Sequence, residues 1–347
     1  MASLVPLISA IVPCRNEKSH IETCVRSILA QESPSFRLEL LVVDGMSDDG
    51  TRDVLTMLMQ SNSGLRILDN PRRSTPAAIN IGVQAACGEY VVILGAHSEY
   101  DRMYIQTCLT LLNEHPEVCC AGGPIVSRGK SLFGQAVAAA MSHPLGIGNA
   151  KHRLPDYEGY AEGACFPMFR KRIFRDVGFF DEHMLYVEDD EFNYRLAQKG
   201  EKVFISPRAR CIYFVRETPS QLFRQYFRYG AGRVGVLRKY RLPASIRQLT
   251  PPVFVALLLI GLMVGPWLPG WWRTLAIVLP ALYVATLFAV AIAGRVSWGD
   301  AVAVRFPFAV ATMHCSYALG FFSGVFRGHP VLPAASDGQP FPTVRVG

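Results

Sequence analysis

Three stretches near the C-terminus constrain this chain most: residues 251–268 (PPVFVALLLIGLMVGPWL), 274–294 (TLAIVLPALYVATLFAVAIAG) and 306–326 (FPFAVATMHCSYALGFFSGVF) are almost free of charge. Each approaches the roughly 20 residues a helix needs to cross a bilayer. Lipid offers no partner to backbone amides, so such segments must satisfy their own hydrogen bonds as helices. Three membrane helices are therefore expected, the third entered past Arg305 and carrying His314 within it.

Charge divides the chain at the same place. Residues 1–216 carry 23 Lys and Arg against 25 Asp and Glu, and the remainder carries 12 against 3, so the net charge of +7 belongs to the membrane half. Eight basic residues (Arg216, Arg224, Arg228, Arg233, Arg238, Lys239, Arg241 and Arg247) crowd the segment before the first apolar stretch. That is the pattern of a cytoplasmic flank in contact with anionic headgroups or phosphates. No nucleic-acid partner is expected, because proximity to a membrane already accounts for the basic patch. The N-terminal MASLVPLISAIVP lacks a basic leader and holds Pro6 and Pro13, so it reads as a first strand and not as a signal peptide. The nine cysteines form no C-x-x-C pair and no metal-ligand spacing, which fits a reducing compartment.

The first 125 residues alternate strand and helix signals: ISAIVP then IETCVRSILAQ, LELLVVD then TRDVLTMLMQ, LRILDN then PAAINIGVQAA, YVVILGA then YIQTCLTLLNE, and finally VCCAGGPIV. Such alternation predicts βαβ units and a mostly parallel sheet with helices on both faces. Residues 126–160 are rich in small and turn-forming types, with one apolar patch, LFGQAVAAAM, that suits either the core or a membrane surface. EGACFPMF, the helix DEFNYRLAQKG and the strands KVFISP and RCIYFVR lead into the basic segment.

Polar clusters follow three of the strands, at the edge where open α/β sheets place their ligands. VPCRNE offers Pro13, Asn16 and Glu17. VVDGMSDDGT offers Asp44, with Ser47 or Asp49 suited to capping the next helix. YVVILGAHSEY ends in His97, Ser98 and Glu99, where either a ligand site or a simple helix cap is possible. Asp44 has nothing to cap and is free to accept from a base or ribose.

In order, VPCRNE, VVDGMSDDGT, NPRRSTPAAINIG, GEYVVILGAHSEY, EGACFPMFRKRIFRDVGFFDE, VEDDEFNYRLAQKG and QYFRYG resemble a family 2 glycosyltransferase of the GT-A fold. The resemblance covers about residues 7–240 and points to the membrane-attached branch that extends lipid-linked bacterial exopolysaccharides of the succinoglycan type. It implies a GT-A domain over 1–216, an interfacial helical segment over 217–250, the three membrane helices and a tail over 329–347. By resemblance, Pro13, Asn16, Glu17 and Asp44 hold the donor nucleotide, Arg72 or Arg73 lies near it, and Asn80 packs beneath.

The family's D-x-D metal site falls on Gly95-Ala96-His97, where the first carboxylate is missing. A divalent ion, Mn²⁺ or Mg²⁺, would then rest on His97, with Glu99 supplying an oxygen to the ion directly or to its surroundings, and an imidazole favours Mn²⁺ over Mg²⁺; the alternative is that His97 hydrogen-bonds the diphosphate with no metal. VEDDEFNYRL resembles the E-D-x-D/E-L segment, which makes Asp189 the general base beside Glu188 and Asp190, and crowding among these and Glu191 raises some of their pKa values. Gln225-Tyr226-Phe227-Arg228-Tyr229 resembles Q-x-x-R-W, whose Arg reaches the diphosphate and whose aromatic ring lines the acceptor site; it is equally a basic and aromatic membrane anchor.

The function implied is inverting transfer of a sugar from a nucleoside diphosphate donor, a UDP-sugar, to a lipid-linked polyprenyl diphosphate acceptor at the bacterial inner membrane. The alternatives are a transferase using a bare polyprenyl phosphate, or a silent membrane scaffold of the same fold.

Overall fold

The computed structural model describes residues 5–31, 33–148, 150–241 and 248–327, so the expected tail and Arg247 lie outside the described residues. The strands are β1 (Leu7–Cys14), β2 (Arg37–Asp44), β3 (Leu65–Asp69), β4 (Tyr90–Ile93), β5 (Ser98–Tyr100), β6 (Val118–Gly123), β7 (Ile125–Arg128), β8 (Gly159–Ala161), β9 (Cys165–Arg170), β10 (Lys202–Ile205) and β11 (Cys211–Phe214). Among them run α1 (Ile21–Leu29), α2 (Thr51–Gln60), α3 (Thr75–Ala85), α4 (Tyr104–Glu114), α5 (Leu132–Ala140), α6 (Pro144–Ile147), α7 (Ile173–Asp176) and α8 (Glu188–Gln198). They are followed by α9 (Pro219–Tyr240), α10 (Thr250–Val264), α11 (Gly270–Trp298), α12 (Asp300–Ala303) and α13 (Phe306–Arg327).

β3, β2, β1 and β4 lie side by side and parallel, and β9 enters antiparallel between β4 and β6 before β10 and β8 complete the sheet. The side-chain period of two explains why both faces need helices. Along β1, Ile8, Ala10 and Val12 enter a core with α1, α2 and α4, whereas Ile11 joins Leu41 and Val43 in a second core under α3 and α8. Each Ile or Leu fully withdrawn from water here contributes roughly 1.5–3 kcal/mol. Register then sets the site: Cys14 pairs with Asp44 and Asp44 with Asp69, so the carboxyl ends of three strands finish on one line.

Two sequence elements divide where one was expected. VCCAGGPIV breaks at Pro124 into β6 and β7, and β7 leaves for a second sheet of order β5-β11-β7. Gly123 permits the crossing, since a Cβ there would lie 1.6 Å from the carbonyl of Ala209. The tip of YVVILGAHSEY does not run into a helix cap: after a turn at Ala96 and His97, residues 98–100 become β5, paired antiparallel with β11.

Three helical segments are long and apolar enough to cross a membrane: Thr250–Trp267, Gly270–Trp298 and Asp300–Phe326. LFGQAVAAAM forms α5, which packs on β7 of the second sheet and on the apolar helices. Its Ala136, Val137 and Ala140 join Phe306, Ala309 and Met313 in one cluster, because an uncharged face of small residues lets α5 approach α13 closely.

The expected interfacial segment forms α9, which is wedged between the sheet domain and α13. A Cβ on Gly320 would lie 2.0 Å from the carbonyl of Phe227, one on Gly230 2.0 Å from that of Tyr317, and one on Gly232 2.9 Å from that of Leu185. Backbone meets backbone on both sides of α9, so the α8 entrance is held at a fixed distance from the apolar helices. Gly320→Leu is expected to force α9 from α13 at a cost of about 1–3 kcal/mol, the usual range for overpacking. A thermal shift of the detergent-solubilised protein checks it, with Val296→Phe, at a side chain 92% exposed, as the comparison for added bulk.

Candidate active site

The loops after β1 and β2 are tied to each other before any ligand arrives. Asn16 donates from its backbone N to Ser47 Oγ (2.9 Å) and from its amide to Asp48 Oδ1 (2.9 Å), and accepts from Asp48 N (3.1 Å). Asn16 sits at φ 57°, Met46 at 58° and Arg73 at 56°, left-handed conformations that cost a non-glycine residue of order 1–3 kcal/mol and collect at functional loops. Asn tolerates this region better than most residues.

Asp44, expected as a free acceptor at a strand end, is only 1% exposed. It takes the Ser47 hydroxyl at 2.5 Å, the Ser47 amide at 3.3 Å and Arg52 at 3.2 Å, so it organises the loop that follows it. Neither expected cap closes α2: Gly50 is its N-cap residue, while Asp49 accepts from Thr51 and from the Lys18 amide. Arg72 forms an ion pair with Glu182, and Arg73 is exposed. Asn80 grips both the N–H and the carbonyl of Phe180 at 2.9 Å, fixing the loop that leads to α8.

Pro13 pairs with Val43 across β1 and β2, one residue short of the strand ends. The carboxylate that meets His97 is Glu17, with Oε1 3.3 Å from Nδ1. Glu99 is exposed on β5 opposite Ile212, away from this contact. No group of three or more His, Cys, Asp or Glu side chains among the described residues is placed to hold a metal by itself. An imidazole and a carboxylate in contact suit a divalent ion whose remaining ligands are phosphate oxygens.

Position 95 is closed to a carboxylate: a Cβ on Gly95 would lie 2.7 Å from the ring of Phe166, which packs edge-on against Tyr100. The Tyr100 hydroxyl in turn accepts from the Gly95 amide at 2.6 Å. Gly95→Asp is therefore expected to lower stability by about 1–3 kcal/mol. Phe166→Leu in the same chain is expected to restore most of it, and denaturant unfolding of the single and double variants measures the difference.

α8 opens with four carboxylates, Glu188 to Glu191, at the helix end whose dipole favours them. Their surroundings divide them. Glu191, 0% exposed, is held by Arg195, by Lys239 at 2.6 Å and by Tyr240. Burial alone would raise its pKa, but these donors outweigh burial and hold it below the ordinary range. Glu188 and Asp189 move up, through desolvation first and neighbouring charge second, and Glu191 moves the other way.

Asp189 is exposed to solvent, and the protein packed around it weakens its hydration. That desolvation, followed by the charge of Asp190, holds its pKa above the usual carboxylate range, and Arg233 moderates the shift. Desolvation followed by the charge of Asp189 raises Glu188 in the same direction, and Glu188 Oε2 is buried with no hydrogen-bond partner among the described residues. Tyr186, two residues before Glu188, adopts φ 68°.

One face of α9 completes the site. Gln225 Nε2 donates to Tyr213 Oη at 3.0 Å and to Tyr229 Oη at 3.1 Å, and the Tyr213 ring centroid lies 5.7 Å from that of His97. One turn beyond Tyr229, Arg233 is 8% exposed and pairs with Asp190 Oδ2 at 2.5 Å. Arg228, on the neighbouring face, is exposed, with its guanidinium 5.2 Å over the ring of Tyr186.

The chain is similar to known proteins in sequence and fold. The family model for Glycosyl transferase family 2 matches residues 9–178. The succinoglycan biosynthesis protein ExoA of Rhizobium meliloti is 30% identical over 321 residues, which cover 90% of this chain and 93% of that protein. The chain belongs to glycosyl transferase family 2. A dolichyl N-acetyl-α-D-glucosaminyl phosphate 3-β-D-2,3-diacetamido-2,3-dideoxy-β-D-glucuronosyltransferase of Methanococcus voltae is 25% identical, with 93% of this chain and 98% of that one covered. The mannosyltransferase PcManGT of Pyrobaculum calidifontis, solved with GDP-Man and Mn²⁺, superposes with a TM-score of 0.59 over 94% of this chain and 89% of that one, at 19% identity.

This glycosyltransferase thus has the mixed α/β GT-A fold followed by three long apolar helices, and it acts in polysaccharide or glycolipid biosynthesis. Sequence reasoning missed Arg233 because it was counted with the basic flank. The available signal was helical spacing: Gln225, Tyr229 and Arg233 recur every four residues and so share a face of α9.

Proposed function

We propose that this glycosyltransferase moves one sugar, with inversion, from a nucleoside diphosphate donor to a lipid-linked acceptor at the cytoplasmic surface of a bacterial inner membrane. The observation that carries this reading is the position of Asp189: open to an incoming acceptor, raised in pKa by its surroundings, and held by α9 beside the apolar helices. Asp189 takes the proton of the acceptor hydroxyl as that oxygen attacks the anomeric carbon and the nucleoside diphosphate leaves from the opposite face. Glu188 stands next to Asp189, with its own pKa raised by desolvation and then by the Asp189 charge. Arg233, through Asp190, limits how far the base is raised.

The division into a catalytic unit over 1–216, a connecting segment over 217–250 and a multi-pass membrane region over 251–328 belongs to the same reading. Pro13, Asn16, Glu17, Asp44 and Arg73 edge the donor site, and Gln225, Arg228 and Tyr229 face the acceptor and the diphosphate. A UDP-sugar is the donor we favour; the GDP-Man of PcManGT makes a GDP-sugar the comparison to run beside it. The name of the Methanococcus relative, a transferase acting on a dolichyl phosphate-linked sugar, supports a lipid-linked acceptor.

Glu17 and His97 are the side chains that would hold a Mn²⁺ or Mg²⁺ ion together with the donor phosphates. Such an ion would neutralise charge developing on the leaving group.

The test is transfer of labelled sugar from UDP- and GDP-sugars by purified protein in nanodiscs, with polyprenyl diphosphate-linked sugar or bare polyprenyl phosphate as acceptor. Label is expected on the diphosphate-linked acceptor, lost in EDTA and restored by Mn²⁺. Label only on the bare phosphate would favour direct charging of the lipid; no label with any pair would favour a scaffold.

A further inference from the structure

Around Gln225 and Tyr229, between α9 and β11, lie two polar side chains that the transfer step above leaves unused, Arg153 and Tyr213. Arg153 ends the short 3₁₀ turn Lys151–Arg153, and its charge faces Tyr213, Tyr226 and Tyr229. It forms no ion pair among the described residues. Its Nη1 is sealed from solvent with no hydrogen-bond partner among them, and Gln225 Oε1, on a side chain only 9% exposed, is in the same state. A guanidinium placed for structure alone normally finds a carboxylate or carbonyl, because an unpaired buried donor costs free energy.

The tyrosines point the same way. Gln225 Nε2 donates to both Tyr213 Oη and Tyr229 Oη, so each hydroxyl accepts from the amide and keeps its own proton to donate elsewhere. Burial and then the neighbouring Tyr213 hold the Tyr229 hydroxyl firmly protonated. Tyr213 borders His97 on the donor side, and Tyr229 feels the charge of Asp189 on the other. One unpaired cation and two O–H groups with a proton left to donate, set between the donor edge and the base, match an oxyanion.

We infer that Arg153, with the hydroxyls of Tyr213 and Tyr229, forms a diphosphate subsite, distinct from the exposed Arg228. The inference rests on the glycosyl-transfer reading, which supplies two sources of that chemistry: the donor's nucleoside diphosphate and the acceptor's lipid diphosphate.

Calorimetry on the full chain in nanodiscs tests it with UDP, GDP, inorganic diphosphate and uridine, alongside the KM for polyprenyl diphosphate-linked acceptor. Arg153→Met is expected to weaken inorganic diphosphate at least tenfold and Arg153→Lys to weaken it less, with the melting temperature unchanged or raised. A matching loss for UDP or GDP with the acceptor KM unmoved assigns the subsite to the donor; a raised acceptor KM with nucleotide affinity unmoved assigns it to the lipid. Diphosphate affinity equal to wild type in Arg153→Met would overturn the subsite. So would a parallel loss of uridine binding and melting temperature, which marks a structural residue. Wild-type protein that binds neither nucleoside diphosphate nor lipid diphosphate would instead overturn the glycosyl-transfer reading itself.

Discussion

Asp189→Asn is expected to lower kcat by 10² to 10⁴-fold, the contribution of a positioned general base, with the donor KM nearly unchanged and the melting temperature held. The amide keeps the shape and the hydrogen bond from Asp190 N, which reaches Asp189 Oδ1 at 2.8 Å, but it cannot accept the acceptor's proton. Stability should not suffer, because the native state penalises this carboxylate's charge through desolvation and Asp190.

The sign follows from proton counting. A carboxyl raised in the native state binds more protons there than when unfolded, so its contribution to stability falls as pH climbs from the unfolded value of about 3.9 through the raised one. Asparagine removes that penalty. The same raised pKa places the acid limb of wild-type kcat/KM well above pH 4, with activity lost as pH falls through it. Steady-state kinetics across pH, paired with thermal unfolding, reads both effects; substantial activity in Asp189→Asn would remove this residue from the proton transfer.

Arg233→Met should act on the same limb from the side. Arg233 is the positive charge that holds Asp189 down against desolvation and Asp190, and it reaches the cluster from α9, whose other side packs on α13. Without it the Asp189 pKa rises further. A shift of one unit lowers the ionised fraction about tenfold on the acid side of the limb, so kcat/KM near that limb falls about tenfold and returns at higher pH. Arg233→Lys keeps a charge and should recover part of the acid-side activity. Because the Asp190 side chain is 38% exposed, water takes up some of its lost pairing, and unfolding should be affected less than for a fully buried pair. A uniform loss at every pH would mean that Arg233 acts on a ligand and not through Asp189.

What the sequence made legible were features with a period or a length. The apolar runs announced the three long helices, alternation announced the parallel sheet, and strand ends announced the site edge. Its misses are tertiary. Nothing local says that residues 98–100 leave the main sheet to pair with β11, or that His97 therefore faces Tyr213 and Glu17 while Glu99 stays exposed. Asp44 read as an idle acceptor because Arg52, eight residues on, returns to it only once α2 has folded. Glu191 read as part of an acidic crowd because its partners Lys239 and Tyr240 lie almost fifty residues away on α9. The Gly95 departure from D-x-D was visible, but its reason, the ring of Phe166, was not.

The central claim is single-displacement transfer onto a lipid-borne acceptor, and the anomeric configuration of the new bond tests it most directly. Labelled nucleoside diphosphate sugar of known configuration is incubated with wild-type protein and vesicles carrying a polyprenyl diphosphate-linked sugar, and the extracted glycolipid is read by NMR. The account predicts label in the lipid fraction with the configuration opposite to the donor's; a retained configuration, or label that never leaves the aqueous phase, would contradict it.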